Sequence, residues 1–116
     1  MHDTLKSFKF ASAGIKDAMS SEPNLRFHII AAIFTISAGT YFKFNNLEFT
    51  ILIFTILSVI SLELINTLVE KIVDMHSKEI SEEARIIKDI SAGMVLISSV
   101  GAIIIGALLF LPKLFV

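Results

Sequence analysis

Cysteine and tryptophan are missing from this 116-residue chain, proline occurs twice, and charged side chains make up only 18% of it. Without cysteine there is no disulfide framework, no thiolate metal site and no thiol nucleophile. A soluble domain carries about one quarter charged residues, so the low fraction here excludes a disordered chain and argues against an ordinary soluble domain. Neither sign of charge dominates. Ten Lys and Arg stand against eleven Asp and Glu, a formal net charge of −1, which lacks the basic excess of a nucleic-acid binder. Gly14, Gly39, Gly93, Gly101 and Gly106 fit neither GxxxxGK[ST] nor GxGxxG, and HExxH and GxSxG are also absent.

What the chain does have is hydrocarbon. Hydrophobic residues are 54% of it and its mean hydropathy is +0.79, and its length allows one domain. Three apolar runs stand out: Phe27–Phe42, Phe49–Val69 with Glu63 and Asn66 inside it, and the charge-free Ile90–Pro112. A helix crosses about 30 Å of hydrocarbon with roughly 20 residues. The pattern therefore predicts a single all-α membrane domain over 1–116, with spans at about 24–43, 48–70 and 90–112. A soluble bundle of three buried helices is the weaker alternative, because the third run carries no charge. There is no internal repeat and no low-complexity tract.

Lys and Arg number four in the N-terminal segment 1–26, one in the loop 43–48, four in 70–89, and one after Pro112. The positive-inside rule then puts the N-terminus in the cytoplasm and the C-terminus outside. Residues 1–26 show no apolar core of a signal peptide. Leu5, Phe8, Ala11, Ile15 and Met19 recur at helical spacing with Lys6, Lys9 and Lys16 off that stripe. This predicts an amphipathic helix over about 4–20, either on the membrane surface or packed on the bundle. Pro23 suits a first helical position after a Ser21 or Glu22 cap, Asn45-Asn46 marks the outer turn, and Ser81 before Glu82-Glu83 reads as a helix start.

The most informative stretch is Glu63-Leu-Ile-Asn66-Thr-Leu-Val-Glu70-Lys-Ile-Val-Asp74. At about 100° per residue Glu63, Asn66, Glu70 and Asp74 share a narrow arc of one helix face. A carboxylate inside a span is costly unless paired or neutralised, so it faces protein or a wet cavity. Such an acid suits a general base, and carboxylates with an amide oxygen make a hard ligand set suited to Mg²⁺. Spacing alone leaves base and metal ligand open, beside a purely structural seam pairing with Lys88 or Arg26. Lys88-Asp89, at the membrane boundary, suits either a phosphate contact or an interface anchor. Glu22 opens the first span at the same level, His28 reads as a packed histidine, and Glu79, Glu82 and Glu83 read as a solvated acidic loop.

These residues carry a resemblance. The Glu63–Asp74 stretch, with Ala84-Arg-Ile-Ile-Lys88-Asp89-Ile-Ser-Ala-Gly93, resembles the prokaryotic diacylglycerol kinase signature E-L-x-N-[ST]-A-[IV]-E-x-x-V-D followed by A-K-x-x-K-D-x-[AG]-[AS]-[AG]. Phe8-Lys-Phe10-Ala, Gly14-Ile and Glu22-Pro-Asn24-Leu-Arg26-Phe-His28 also match. The last is similar to the E-x-N-x-[RK]-x-H form of the Gram-positive branch, mostly undecaprenol kinases.

The resemblance implies a three-span lipid kinase with a surface helix, working in the bacterial cell membrane as a homotrimer with active sites shared between subunits. It implies transfer of the γ-phosphoryl group of ATP to undecaprenol, or alternatively to diacylglycerol. By position, Glu63 matches the general base, and Glu22 and Glu70 match the carboxylates that hold Mg²⁺ with the ATP phosphates. Asn66 and Asp74 match supporting polar positions, and Glu79, Lys88 and Asp89 match nucleotide contacts. The chain departs from the family at Leu68, where alanine is usual, at Ser81, where a histidine would make a nucleotide contact, and at Phe10, where the aromatic is often tyrosine. Two readings of other classes are a small ion- or proton-coupled transporter subunit with Glu63 as its ion site, and a non-catalytic membrane scaffold.

Overall fold

The structure is a computed structural model and describes residues 3–76 and 81–115. Four helices follow one another: α1 (Thr4–Ser21), α2 (Pro23–Tyr41), α3 (Asn46–His76) and α4 (Glu82–Leu114). Asp3 starts α1 by accepting a 3.2 Å hydrogen bond from the Leu5 amide, which satisfies one of the free donors of the first turn. One extended residue, Glu22, separates α1 from α2. Its amide donates to Ala18 O at 2.9 Å, and Pro23 then begins α2 where a missing N–H costs nothing. Glu22 is the N-cap residue, although its side chain makes no capping hydrogen bond.

The α2–α3 turn is a Schellman motif. Lys43 takes a left-handed φ of 59°, while the Phe44 amide donates to Gly39 O at 2.9 Å and the Lys43 amide to Thr40 O at 3.2 Å. Gly39 makes room for it. A Cβ there would lie 3.0 Å from a Phe44 ring carbon and 3.1 Å from a Phe49 ring carbon. Asn45 and Glu48 then cap α3 reciprocally: the Asn45 amide donates to Glu48 Oε1 at 2.9 Å and the Glu48 amide to Asn45 Oδ1 at 2.8 Å. The turn expected at Asn45-Asn46 therefore lies slightly earlier, with Asn46 already helical. Ser81 caps α4 as expected, its Oγ accepting from the Ala84 amide at 3.0 Å.

Helices α3 and α4 are each long and apolar enough to cross a membrane. Both run past the expected spans on the polar side, to His76 and from Glu82. They pack antiparallel and are clamped at both ends by ion pairs, Asp74–Lys88 at 2.6 Å and Glu48–Lys113 at 3.2 Å. The compact apolar cluster of Phe44, Leu52 and Leu109 lies at the Glu48 end, flanked by Phe42, Phe49 and Phe110. Along α1 only Ala18 is buried, whereas Leu5, Phe8 and Ile15 are exposed, so most of the apolar stripe of α1 is uncovered among the described residues.

Candidate functional site

The polar face of α3 forms a graded row. Glu63 is 2% exposed, Asn66 and Glu70 are half-buried, and Asp74 is exposed. The helical period places them on one face, and antiparallel packing of α2 and α4 covers the deep end more than the shallow end. Glu63 Oε2 lies 3.8 Å from His28 Nε2 on α2. The carboxylates of Glu22 and Glu70 stand within Coulombic reach of Glu63. Thr67, one turn on, is buried and donates to Glu63 O at 3.1 Å. Asn66 Oδ1 is buried without a hydrogen-bond partner among the described residues, an acceptor facing protein rather than water.

Toward the shallow end, Lys88 Nζ donates to Asp74 Oδ1 at 2.6 Å. This interaction, led by the hydrogen bond to Asp74, raises the Lys88 pKa above the ordinary lysine range. Asp89 is engaged along α4: Arg85 donates to Asp89 Oδ2 at 2.8 Å and also pairs with Glu82. Between α1 and α3 lies a cavity of about 610 Å³ whose wall includes Gly14, Asp17, Ser21, Thr67, Leu68 and Lys71. That volume is within the range of small-molecule sites.

The structure thus draws Glu22, Glu63 and Glu70 into one neighbourhood, with Asn66 on the same face of α3, and joins Asp74 to Lys88. Phe10 is exposed on α1. The Ser81 hydroxyl is taken up as the α4 cap acceptor, and Glu79 lies outside the described residues. His28, expected as a packed histidine, is half-buried against Glu63, and Arg85, which no expectation singled out, pairs with Asp89 and Glu82. A usable signal was present for His28. It lies five residues into α2 from Pro23 and Glu63 lies seven before Glu70, so antiparallel helices bring two ionisable residues to similar depth.

The profile of the family described as prokaryotic diacylglycerol kinase matches residues 9–110. The chain belongs to the prokaryotic diacylglycerol kinase family. It is 38% identical over 109 residues to a Bacillus subtilis protein named undecaprenol kinase, covering 94% of this chain and 89% of that one. It is 35% identical over 111 residues to a Synechocystis protein named diacylglycerol kinase, covering 95% of this chain and 63% of that one. The chain therefore spans less than two thirds of the Synechocystis relative.

Every site residue named above lies inside the matched stretch. For a family of lipid kinases, the arrangement offers a buried carboxylate on a helix long and apolar enough to cross a membrane and, nearer the polar end, further carboxylates beside a lysine. Among the described residues no group of three or more His, Asp or Glu is assembled closely enough to hold an ion unaided. Two carboxylates completed by phosphate oxygens and water are the usual provision for Mg²⁺ in phosphoryl-transfer sites. Glu22 and Glu70 fit that pattern, since Glu22 has a side chain not spent on capping its helix and both lie in the neighbourhood of Glu63.

Proposed function

We propose that the protein transfers the γ-phosphoryl group of ATP to the primary hydroxyl of a membrane lipid alcohol, undecaprenol in the first place. The observation that carries this reading is the buried Glu63, within reach of Glu22 and Glu70 and at the deep end of a polar row leading to Lys88. In the proposed step the Glu63 carboxylate takes the hydroxyl proton. The alcohol oxygen bonds to the γ-phosphorus, and the bond from that phosphorus to the bridging oxygen breaks, leaving ADP. Phosphoryl transfer needs mainly positioning and charge neutralisation. Glu22 and Glu70 would hold Mg²⁺, which when bound offsets phosphate charge. Lys88 supplies positive charge to the phosphates, oriented by Asp74. Asn66 presents its buried amide to the same region, Phe10, Ser81 and Asp89 would contact the nucleotide, and Glu79, outside the described residues, is assigned to the nucleotide by the family resemblance alone.

In this reading α2 is a third span beside α3 and α4, and 1–116 is one membrane-embedded kinase domain. Helix α1 rests its exposed Leu5, Phe8 and Ile15 on the cytoplasmic surface of the bacterial cell membrane. The N-terminus is cytoplasmic and the C-terminus outside, in keeping with the Lys and Arg distribution. The protein works as a homotrimer with shared sites, which supplies cover for a protomer whose large side chains are mostly exposed.

Diacylglycerol is the second acceptor to consider, because the Synechocystis relative carries that name. The test offers undecaprenol and diacylglycerol separately, at equal mole fraction, to the purified protein in mixed micelles with Mg-ATP. Faster labelling of undecaprenol supports the proposal, and preference for diacylglycerol reassigns the acceptor. Absence of transfer to either lipid from folded protein overturns the kinase reading.

A further inference from the structure

Below the Glu63–His28 pair the three long helices leave a narrow cavity of about 130 Å³, open along one side. Its wall includes Ala31 and Ala32 of α2, Val59 and Ile60 of α3, and Ala102 and Gly106 of α4. His28 stands at one end and is the only titratable side chain in this wall among the described residues. On α3 the lining begins at Ile60, one helical turn from Glu63, and ends at Leu52, a run of about 12 Å at 1.5 Å per residue. Phe110 closes the far end, where its ring packs 4.8 Å from that of Phe44.

The wall presents carbon. Its two hydroxyls, Thr35 and Thr55, are turned to their own helices, donating to Ala32 O at 3.1 Å and Ile51 O at 2.8 Å. The cavity between α1 and α3 differs in having Asp17, Ser21 and Lys71 in its wall, which suits a polar group. An enclosed apolar cavity of roughly 150 Å³ takes one benzene ring. A slot of comparable volume, drawn out over about 12 Å along a helix, has room within it for one hydrocarbon chain.

We propose that this slot seats the single hydrocarbon chain of the acceptor lipid, and that its width selects one-chain lipid alcohols over two-chain ones. The inference rests on the phosphoryl-transfer reading, which places the reacting hydroxyl at Glu63. A chain attached to that hydroxyl passes His28 and descends directly into the slot. Ala31, Ala32, Ala102 and Gly106 are the selecting residues, because their small side chains leave the space. A Cβ on Gly106 meets nothing within 4 Å, so a larger residue there enters the slot without displacing backbone.

Three measurements on the full chain test this. In the first, Gly106→Leu and Ala102→Leu are assayed for undecaprenol phosphorylation beside Ala107→Leu, at an exposed position of α4. The slot variants raise KM for undecaprenol about tenfold, the scale of filling part of an apolar subsite, with the change in KM rather than kcat, while Ala107→Leu keeps the wild-type KM. Unchanged KM in both slot variants overturns the slot and leaves the kinase reading standing. In the second, wild-type protein is irradiated with a polyprenol carrying a diazirine near its hydroxyl end, and the labelled residues are mapped. Label on Ala31, Ala102 or Gly106 supports the slot even where a variant fails to fold. Label confined to Ala11, Ile15 and Leu68 places the chain between α1 and α3 and overturns it. A photoreactive residue at 102 that captures a second copy of the protein instead of the lipid assigns the slot to the subunit interface and overturns it as well. Wild-type protein that phosphorylates no lipid alcohol removes the kinase reading, and the slot with it.

Discussion

Lys88 on α4 donates a 2.6 Å hydrogen bond to Asp74 on α3, across the polar end of the two longest helices. Both side chains are solvent-accessible, at 38% and 65%, and exposed pairs of this kind contribute little to stability. The pair therefore matters for where it holds the ammonium group. Lys88→Met is expected to raise KM for ATP by about tenfold, as loss of one charge-assisted phosphate contact does, with little change in Tm. Asp74→Asn is expected to move KM in the same direction and less. A double-mutant cycle on ATP affinity checks the coupling.

The same pair sets a pH dependence. The hydrogen bond to Asp74, then the Coulombic pull of Asp74 and Glu70, raises the Lys88 pKa in the folded state. A raised lysine contributes stability in full below its unfolded value of about 10.4 and loses it as pH rises through the folded value. Melting temperatures of wild type and Lys88→Met should run parallel between about pH 6 and pH 9 and converge only at stronger alkalinity. Divergence within the neutral range would contradict the assignment.

Glu63→Gln keeps size and hydrogen-bonding capacity while removing the base. Turnover is expected to fall by about 10² to 10⁴-fold, the usual contribution of a positioned base, while binding of a non-hydrolysable ATP analogue persists. ADP release and analogue titration together read this out, and near-wild-type turnover would reject the base role.

His28 packs against Glu63, the one buried carboxylate among the described residues. Truncation to alanine removes the imidazole that stands 3.8 Å from that carboxylate and opens a gap between α2 and α3. The expected outcome for His28→Ala is a lower unfolding midpoint in mixed micelles together with a lower kcat, and His28→Gln should recover part of both. A stability loss without any effect on kcat would confine His28 to packing.

At the other end of the bundle, Gly39 and Lys43 make a contrasting pair. A branched side chain at Gly39 would press on the Phe44 and Phe49 rings, so Gly39→Val is expected to destabilise by about 1–3 kcal/mol. Lys43→Gly relieves a left-handed residue and is expected to stabilise by about 1 kcal/mol. Both are read by unfolding in mixed micelles, and activity per folded molecule should stay near wild type.

Features set by one stretch of chain were readable in the sequence. Pro23 at a helix start, the Ser81 cap and the Glu63–Asp74 row follow from local chemistry and the 3.6-residue period, and the structure shows each of them. The seam partner Lys88 was foreseeable because its charge sits at the same membrane boundary. Pairings set by helix packing were not readable, notably His28 with Glu63, since neither residue's neighbours in sequence contain the other. The Asn45–Glu48 capping box was readable in principle, being three residues apart, but was hidden under a turn signal. Helix lengths beyond the apolar runs depended on tertiary support, because residues 70–76 and 82–89 mix charged with apolar side chains and meet across the α3–α4 seam.

Only Glu22 lies between the last residue of α1 and the first of α2, so the joint has no slack. Helix α1 extends from it as a rigid arm about 27 Å long. A turn of roughly 10° in the backbone at that joint sweeps the far tip of α1 by about 5 Å. The pivot of the arm is also the residue proposed to carry a metal-holding carboxylate, so the height at which Leu5 and Phe8 ride and the aim of that carboxylate are two readings of one torsion angle.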